Sequence, residues 1–457
     1  MDLNHTLHAL HLGLPEDVER LRGFGDYAGA AAAIDRHLAS DKLTEPMRNC
    51  LTAQRERLRR LPADYPLTRA EALALARKQV PDFSQAEFDA LEQDCRIDFI
   101  YINGEKRYFD RFFETLTKTD REMARRAAAD PVGSDGHDNF GRLERTLEKM
   151  HTRGSAAARI RCRATLRLKE DRFRPGVSVR ALLPLPCACE SQSEIRIEEV
   201  SPAPAHISPE NAPQRVILWE EVMEENHPFT VEFSYVRTAR FTDLREPVPT
   251  DARPAFHTEE QLPHIRFTPA IRALAAELTE GISQPLEQAR AFYDYVTTQT
   301  RYSYMPAYFS LENIPDFCIR NHRGDCGVMA LLFITLCRCA GIPARWESGW
   351  KTEPGFCGAH DWAQFYVEPY GWLYADPSFG CGAHREGDEA RRQHYFGSLD
   401  PFRMTANTAF EADFDVPWED WRADPYDNQV GELAVDGRGL AYGDFLRTKE
   451  VLDFTEL

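Results

Sequence analysis

No stretch of the 457-residue chain approaches the roughly eighteen consecutive apolar residues that a membrane-spanning helix needs. The opening segment, MDLNHTLHALHLGLPEDVERL, has no basic region followed by a continuous apolar run, so the pattern of a secretory leader is missing. An excess of basic charge is missing too. There are 55 Lys and Arg against 73 Asp and Glu, a formal net charge of −18. That balance argues against general nucleic-acid binding and against docking on an anionic membrane surface. The eleven cysteines are odd in number and scattered, unlike the framework of a disulfide-stapled secreted domain. Reduced thiols in a cytoplasmic location are the expectation. Also absent are G-x-S-x-G, H-E-x-x-H and a Walker A loop, and DGRGLAYG near residue 440 misses G-x-G-x-x-G by one position. No internal repeat or long low-complexity tract occurs. Hydrophobic residues at 43% and charged residues at 28% are those of a globular protein. The length suits about three domains at roughly 150 residues each.

Residues 1–150 read as a mainly helical region with a β-hairpin. DYAGAAAAIDRHLAS is rich in helix formers. Thr44 precedes Pro46 at one helix start, and Thr68 with Glu71 and Ser84 with Glu87 have capping-box spacing. IDFIYINGEKRYFDRFF alternates around Asn103-Gly104, a hairpin signal. Helix, helix and hairpin loosely resemble a winged helix. However, residues 64–115 carry seven basic and eleven acidic side chains, the wrong sign for a DNA-reading wing. DPVGSDGHDNFG reads as a loop.

From residue 158 the period becomes two. In ARIRCRATLRLKE, Ile160, Cys162, Ala164, Leu166 and Leu168 share one face, and Arg159, Arg161, Arg163 and Arg167 the other. VSVRALLP, SEIRIEEV, RVILW and FTVEFSYVRTAR continue the alternation between Pro-rich turns, so 155–242 is expected to be an antiparallel β-sandwich. Residues 255–457 follow a Pro-rich linker and begin with two helical patterns opened by Pro269 and Pro285. The acidic, aromatic stretch WEDWRADPYD is expected to wrap the surface of the core.

The chemistry lies between Tyr302 and Ser378. After the turn at Gly324-Asp325, Cys326 opens a run that is apolar on every side, and Gly341 and Pro343 close it. Cys326 is therefore expected at the N-terminus of a buried helix, where free N–H groups and the helix dipole favour a thiolate and can hold an oxyanion. HDWAQFYVE and WLYADPS form a second hairpin, with Pro369-Tyr370-Gly371 as its turn. His360 begins one strand and Asp376 ends the other, and antiparallel pairing makes those ends neighbours. A helix-borne thiol, a His and an Asp are the residue types of thiol acyl-transfer catalysis. Each has a structural alternative: a buried core thiol, a satisfied core His and a turn carboxylate. Asp361 and Asp325 lie close by in sequence. Asp361 should face away from His360 on its strand, and Trp362 should share the His360 face and pack there.

GDCGVMALLFITLCRCAGIPAR resembles the nucleophile segment of the transglutaminase-like superfamily, a branch of the papain-like cysteine enzymes. HDWAQFYVEPYGWLYADPS is similar to its His and Asp segment. The similarity spans roughly residues 270–400. It implies an α+β chain with a papain-like core, and the antiparallel β-sandwich before that core is similar to the one preceding it in many bacterial members, whereas the helical N-terminal region is not part of the family's pattern. It further implies Cys326 as nucleophile, His360 as general base and acid, and Asp376 as the group orienting His360. An upstream aromatic side chain lining the oxyanion site would be Tyr304 or Tyr302, with Trp362 a further substrate-binding candidate. The implied activity is a cysteine-dependent peptidase or amidase working on peptide or protein amides through a thioester, without a cofactor or metal. Crosslinking acyl transfer to an amine, or a silent binding scaffold of the same fold, are the alternatives. The tetrapeptide CGAH occurs twice, at Cys357–His360 and Cys381–His384, and four such residues could hold zinc. Otherwise Cys357, Cys381 and His384 would sit on loops flanking the cleft, supplying pocket chemistry or a redox-sensitive thiol.

Overall fold

The computed structural model describes residues 3–127 and 139–457; the loop expected at DPVGSDGHDNFG falls mostly outside them. Two compact units are present. Of the described residues, one comprises 3–127 with 302–313, and the other 139–301 with 314–457.

The first unit is mainly helical: α1 (Leu3–His8), α2 (Glu16–Gly23), α3 (Tyr27–Leu38), α4 (Glu45–Asp64), α5 (Arg69–Gln79) and α6 (Gln85–Gln93). The hairpin β1 (Phe99–Ile102) and β2 (Glu105–Tyr108) follows, then α7 (Phe112–Thr119) and α8 (Arg121–Ala127). Thr68 and Glu71 form a reciprocal capping box on α5, and the Ser84 side chain accepts from Glu87 N at the start of α6. Thr44 occupies the cap of α4 without a side-chain bond. Asn103 and Gly104 both have positive φ, 51° and 85°, as a two-residue hairpin turn requires. Val18, Ala30, Ala33, Ile34 and Leu51 form one core, and Phe83, Phe88, Tyr108 and Phe112 belong to another.

The second unit begins with α9 (Asn139–Arg153). The strands β3 (Ser155–Leu168), β4 (Val177–Pro184), β5 (Gln192–Ser201), β6 (His206–Ile207), β7 (Val216–Met223) and β8 (Phe229–Arg240) come next. The alternation in β3 is that of the sequence, with Ala158, Ile160, Cys162, Ala164, Leu166 and Leu168 fully buried. Then follow α10 (Pro269–Leu278), α11 (Pro285–Gln299), β9 (Arg301–Tyr302), α12 (Ile314–Asn321), β10 (Arg323–Gly324) and α13 (Cys326–Cys339). The remaining elements are β11 (Ala344–Glu353), β12 (Phe356–Val367), β13 (Gly371–Ala375), α14 (Pro377–Glu386), α15 (Glu389–His394), β14 (Phe396–Gly397), β15 (Arg403–Asn407), β16 (Glu432–Val435), β17 (Arg438–Gly439) and β18 (Phe445–Glu456).

The sandwich draws on both ends of this unit. Its sheets have the orders β17-β16-β4-β7-β6 and β18-β3-β8-β5. The last strand of the chain thus pairs with β3, and β16 pairs with β4, so the sandwich includes strands from beyond residue 242. The core sheet has the order β14-β13-β12-β11-β15. Its Trp350, Met404 and Ala406 pack into the same hydrophobic cluster as Ile160, Val179, Trp219 and Phe233 of the sandwich. One continuous core of this kind makes sandwich and core sheet a single compact unit. The stretch WEDWRADPYD is also drawn inward, with Arg422, Ala423 and Tyr426 buried and Tyr426 stacked on Phe410.

Candidate active site

The apolar run beginning at Cys326 forms α13, which is buried from Gly327 to Arg338. It ends at Gly341, whose φ of 73° lets Ile342 N bond back to Cys337 O. At its start, Asp325 is the N-cap and accepts from Val328 N at 3.3 Å. A Cβ at Gly324 would overlap Val328, which accounts for glycine there.

Cys326 occupies the first turn of α13 and is partly buried. Its Sγ donates to Asp361 Oδ2 at 3.2 Å. The second oxygen of Asp361 accepts from Gln429 Nε2. Burial, then the charges of Asp361 and Asp325, push the Cys326 thiol well above its ordinary value. The lowering effect expected of a helix N-terminus is outweighed by desolvation and two carboxylates. Asp361 is itself raised well above the usual carboxylate range, first by burial and then by Asp427 and Asp325.

His360 and Asp361 are consecutive in β12, paired with Gly349 and Ser348 of β11. They therefore project from opposite faces of the strand. His360 shares its face with Trp362, their rings 5.9 Å apart, and packs 4.6 Å from Phe379 of α14. The pairing of Ala363 with Ala375 carries the chain from β13 directly into Asp376. His360 Nε2 then lies 2.7 Å from Asp376 Oδ2. The structure brings this pair together, and it gives the Cys326 thiol to Asp361.

Asp376 is held from every side. As N-cap of α14 it accepts through Oδ1 from Phe379 N at 2.9 Å and from Ser378 Oγ at 3.0 Å. Oδ2 also accepts from Arg403 Nη1 at 2.7 Å, while Arg403 Nη2 donates to Asp400 Oδ2 at 2.8 Å. Tyr395 OH and Phe402 N complete Asp400, at 2.9 and 3.0 Å. Burial alone would raise the Asp376 carboxyl, but His360 and Arg403 hold it well below the usual range. His360 is lowered chiefly by burial, opposed by Asp376 and reinforced by Arg403 and Lys351. The imidazole is thus neutral and fixed beside a carboxylate.

Trp362 is fully buried and donates its indole N–H to Glu347 Oε2 at 2.8 Å. Tyr302 and Tyr304 belong to the helical unit. There Lys118 Nζ lies 4.0 Å from the Tyr302 ring centroid, and the Arg111 guanidinium 3.8 Å from that of Tyr304. The two C-x-x-H tetrapeptides lie on elements, not on loops. Cys357 begins β12, and Cys381 and His384 ride on α14. Cys381 Sγ donates to Thr300 O at 3.2 Å, and His384 is exposed. Among the described residues, no group of three or more His, Cys, Asp or Glu is arranged to hold a metal, and no helix is long and apolar enough to cross a membrane. The roles of Arg403, Asp400 and Gln429 escaped the sequence reading. Their only signal is charge and amide groups in a C-terminal stretch without periodicity.

Comparison with known proteins follows the same residues. Residues 272–377 match the profile of the transglutaminase-like superfamily. A protein-glutamine gamma-glutamyltransferase of Pseudomonas aeruginosa is 29% identical over 136 residues, 27% of this chain and 20% of that protein. The uncharacterized protein YebA of Bacillus subtilis is 26% identical over 129 residues, 24% of this chain and 17% of that protein. The chain thus spans about a fifth of the length of the curated relatives it matches. Among solved structures, a candidate cysteine protease from Cytophaga hutchinsonii aligns with a TM-score of 0.42 and 15% identity, covering 66% of this chain and 98% of that one. The periplasmic domain of TgpA from Pseudomonas aeruginosa aligns with a TM-score of 0.29 and 18% identity, covering 51% and 92%. Residues 272–377, which carry Cys326, His360 and Asp376, are a core of the transglutaminase-like superfamily.

Proposed function

We propose that the chain is a cysteine-dependent amide hydrolase, a peptidase or amidase acting on peptide or protein substrates. Cys326 is the nucleophile, His360 the general base and then acid, and Asp376 the group that orients His360. The observation that carries the reading is the 2.7 Å bond between His360 Nε2 and an Asp376 fixed by a helix cap and by Arg403. A proton held on Nε2 toward Asp376 leaves Nδ1 as the atom that can accept one. Cys326 lies in the first turn of α13, where backbone N–H groups suit the oxyanion of a tetrahedral intermediate.

In this reading the Cys326 thiol exchanges Asp361 for His360 when substrate binds and gives its proton to Nδ1. Sγ attacks the amide carbon, and His360 returns the proton to the leaving amine. The resulting thioester is then hydrolysed by water activated at the same imidazole. A second reading, transfer of the acyl group to an amine, is favoured by the similarity to a protein named as a protein-glutamine gamma-glutamyltransferase.

The test is a peptide and isopeptide library screened by mass spectrometry for an acyl-enzyme on Cys326, with and without an added primary amine. Cys326→Ala should abolish turnover, a loss on the order of 10⁶, and Asp376→Ala should cost about 10⁴. Full amidase activity in Cys326→Ala would refute the reading. Amide products formed with the added amine, in place of acids, would favour transfer.

A further inference from the structure

Cys357 stands three residues before His360 on β12, and it packs against the sandwich core beside Cys162 of β3. The two thiols are hydrogen-bonded to each other. Independent contacts fix this junction. Thr352, the cross-strand partner of Cys357, shares a hydrogen bond of 3.1 Å with Tyr235 OH, and Tyr235 in turn bonds Cys162. Lys449 of β18, whose strand partner on β3 is Ala164, brings an ammonium group to the same place, 5.4 Å from the Trp350 ring. Cys162 is fully buried, whereas Cys357 is partly exposed. The thiols differ accordingly. Burial pushes Cys162 well above the ordinary range, while its hydrogen bond to Cys357, against burial and with help from Lys449, lowers Cys357. Lys449 is itself brought down to about 8 by burial, with Cys357 as the main opposing charge.

A partly exposed thiol with a bonded thiol behind it and a cation beside it is the arrangement of a peroxide-responsive pair. We infer that Cys357 and Cys162 form a redox modification site that reacts with small hydroperoxides and closes to a disulfide between β12 and β3. The Cys357 thiolate attacks the near oxygen of hydrogen peroxide. The O–O bond breaks, and hydroxide leaves and is protonated to water. Cys357 becomes a sulfenic acid. Cys162 sulfur then attacks the Cys357 sulfur, and the S–O bond breaks. The hydroxyl departs with the Cys162 proton as a second water. Two thiols are oxidised by two electrons, and one peroxide is reduced to two waters. The cross-link ties the start of the strand that carries His360 to the sandwich.

Reduced full-length protein would be treated with hydrogen peroxide near neutral pH, blocked with iodoacetamide, digested without reduction and mapped by mass spectrometry. The expected product is a peptide pair joined through Cys162 and Cys357, in preference to any other linkage among the eleven cysteines. Cys357 should react faster than the exposed Cys95. In Cys162→Ala the sulfenic acid should persist on Cys357 and be captured by dimedone, and Lys449→Met should slow Cys357 oxidation without changing its partner. Absence of the joined peptide from the wild-type protein would overturn the inference. So would equal dimedone labelling of Cys357 with and without Cys162. The wild-type map requires no variant to fold.

Discussion

Replacing Arg403 with Met should destabilise the unit that holds the core sheet by about 3–5 kcal/mol, the cost of breaking a buried ion pair by deleting one partner. Arg403 is fully buried, and one guanidinium serves two buried carboxylates, Asp376 at 2.7 Å and Asp400 at 2.8 Å. Met fills much of the volume, so the lost charge and hydrogen bonds dominate. Asp400 keeps Tyr395 OH and Phe402 N, and Asp376 keeps His360, Ser378 and Phe379 N, which places the cost within that range and not beyond it. The pH dependence follows from the same contacts. Asp376 is held below its unfolded value, so its contribution is fully present above about pH 4 and is lost as pH falls through the folded pKa. The difference between wild type and variant should therefore be greatest near neutrality and shrink in acid, where both carboxylates take up protons. His360 is lowered, with Arg403 among the causes after burial, so its contribution is present above about 6.5 and lost below it. That part of the acid loss should be smaller in the variant. Urea unfolding followed by fluorescence of the buried Trp346, Trp350 and Trp362 measures the effect. Adding Asp400→Asn to Arg403→Met should recover part of the loss by removing a stranded charge. A loss below about 1 kcal/mol, or one that does not vary with pH, would refute the claim that Arg403 neutralises this pair.

Two further perturbations probe the two faces of β12. Asp361→Asn removes a carboxylate that, after burial, is the main cause of the raised Cys326 thiol. The pH profile of Cys326 alkylation by iodoacetamide should therefore move to lower pH, and an unchanged profile would show that Asp361 does not govern the thiol. Trp362→Phe deletes the 2.8 Å bond to the buried Glu347 and should cost about 1.5–3 kcal/mol in urea unfolding, the usual worth of a hydrogen bond to a charged group. Glu347→Gln, which keeps an acceptor, should cost less than Trp362→Phe.

Local rules account for much of this fold. The alternation in β3 is legible because one face packs into the sandwich, while Arg161 and Arg163 on the other face pair with Glu232. The capping box at Thr68 and the turn at Asn103-Gly104 follow from neighbouring residues alone. So does the meeting of His360 with Asp376, since a short hairpin fixes which residues oppose each other. Long-range pairing is another matter. Nothing in FLRTKEVLDFTE states that it will join a strand more than two hundred residues earlier. Arg403 and Asp400 look like ordinary surface charges until β15 is laid beside β11. The setting of the Cys326 thiol was equally hidden. Helix position argues for a lowered pKa, but Asp427, which helps to raise Asp361, arrives from a segment some hundred residues downstream.

The two polar systems on β12 are built in opposite electrical senses, and this bears on how the chemistry would begin. On the His360 face, negative charge is compensated: Asp376 sits between an imidazole and a guanidinium. On the Asp361 face, burial and neighbouring carboxylates raise the acids instead. Asp427 and Asp325 both raise Asp361, and the Asp427 carboxyl is itself pushed up to about 8, chiefly by burial and then by Asp424. A thiolate at Cys326 would be an uncompensated anion on that face. The raised Cys326 thiol and the lowered His360 imidazole both favour the neutral forms, which disfavours a preformed thiolate–imidazolium pair. In the proposed reaction, loss of the Cys326 proton must then accompany the movement of the thiol toward His360 and the arrival of substrate. Charge separation is deferred to the moment when the helix N-terminus and the substrate carbonyl can absorb it.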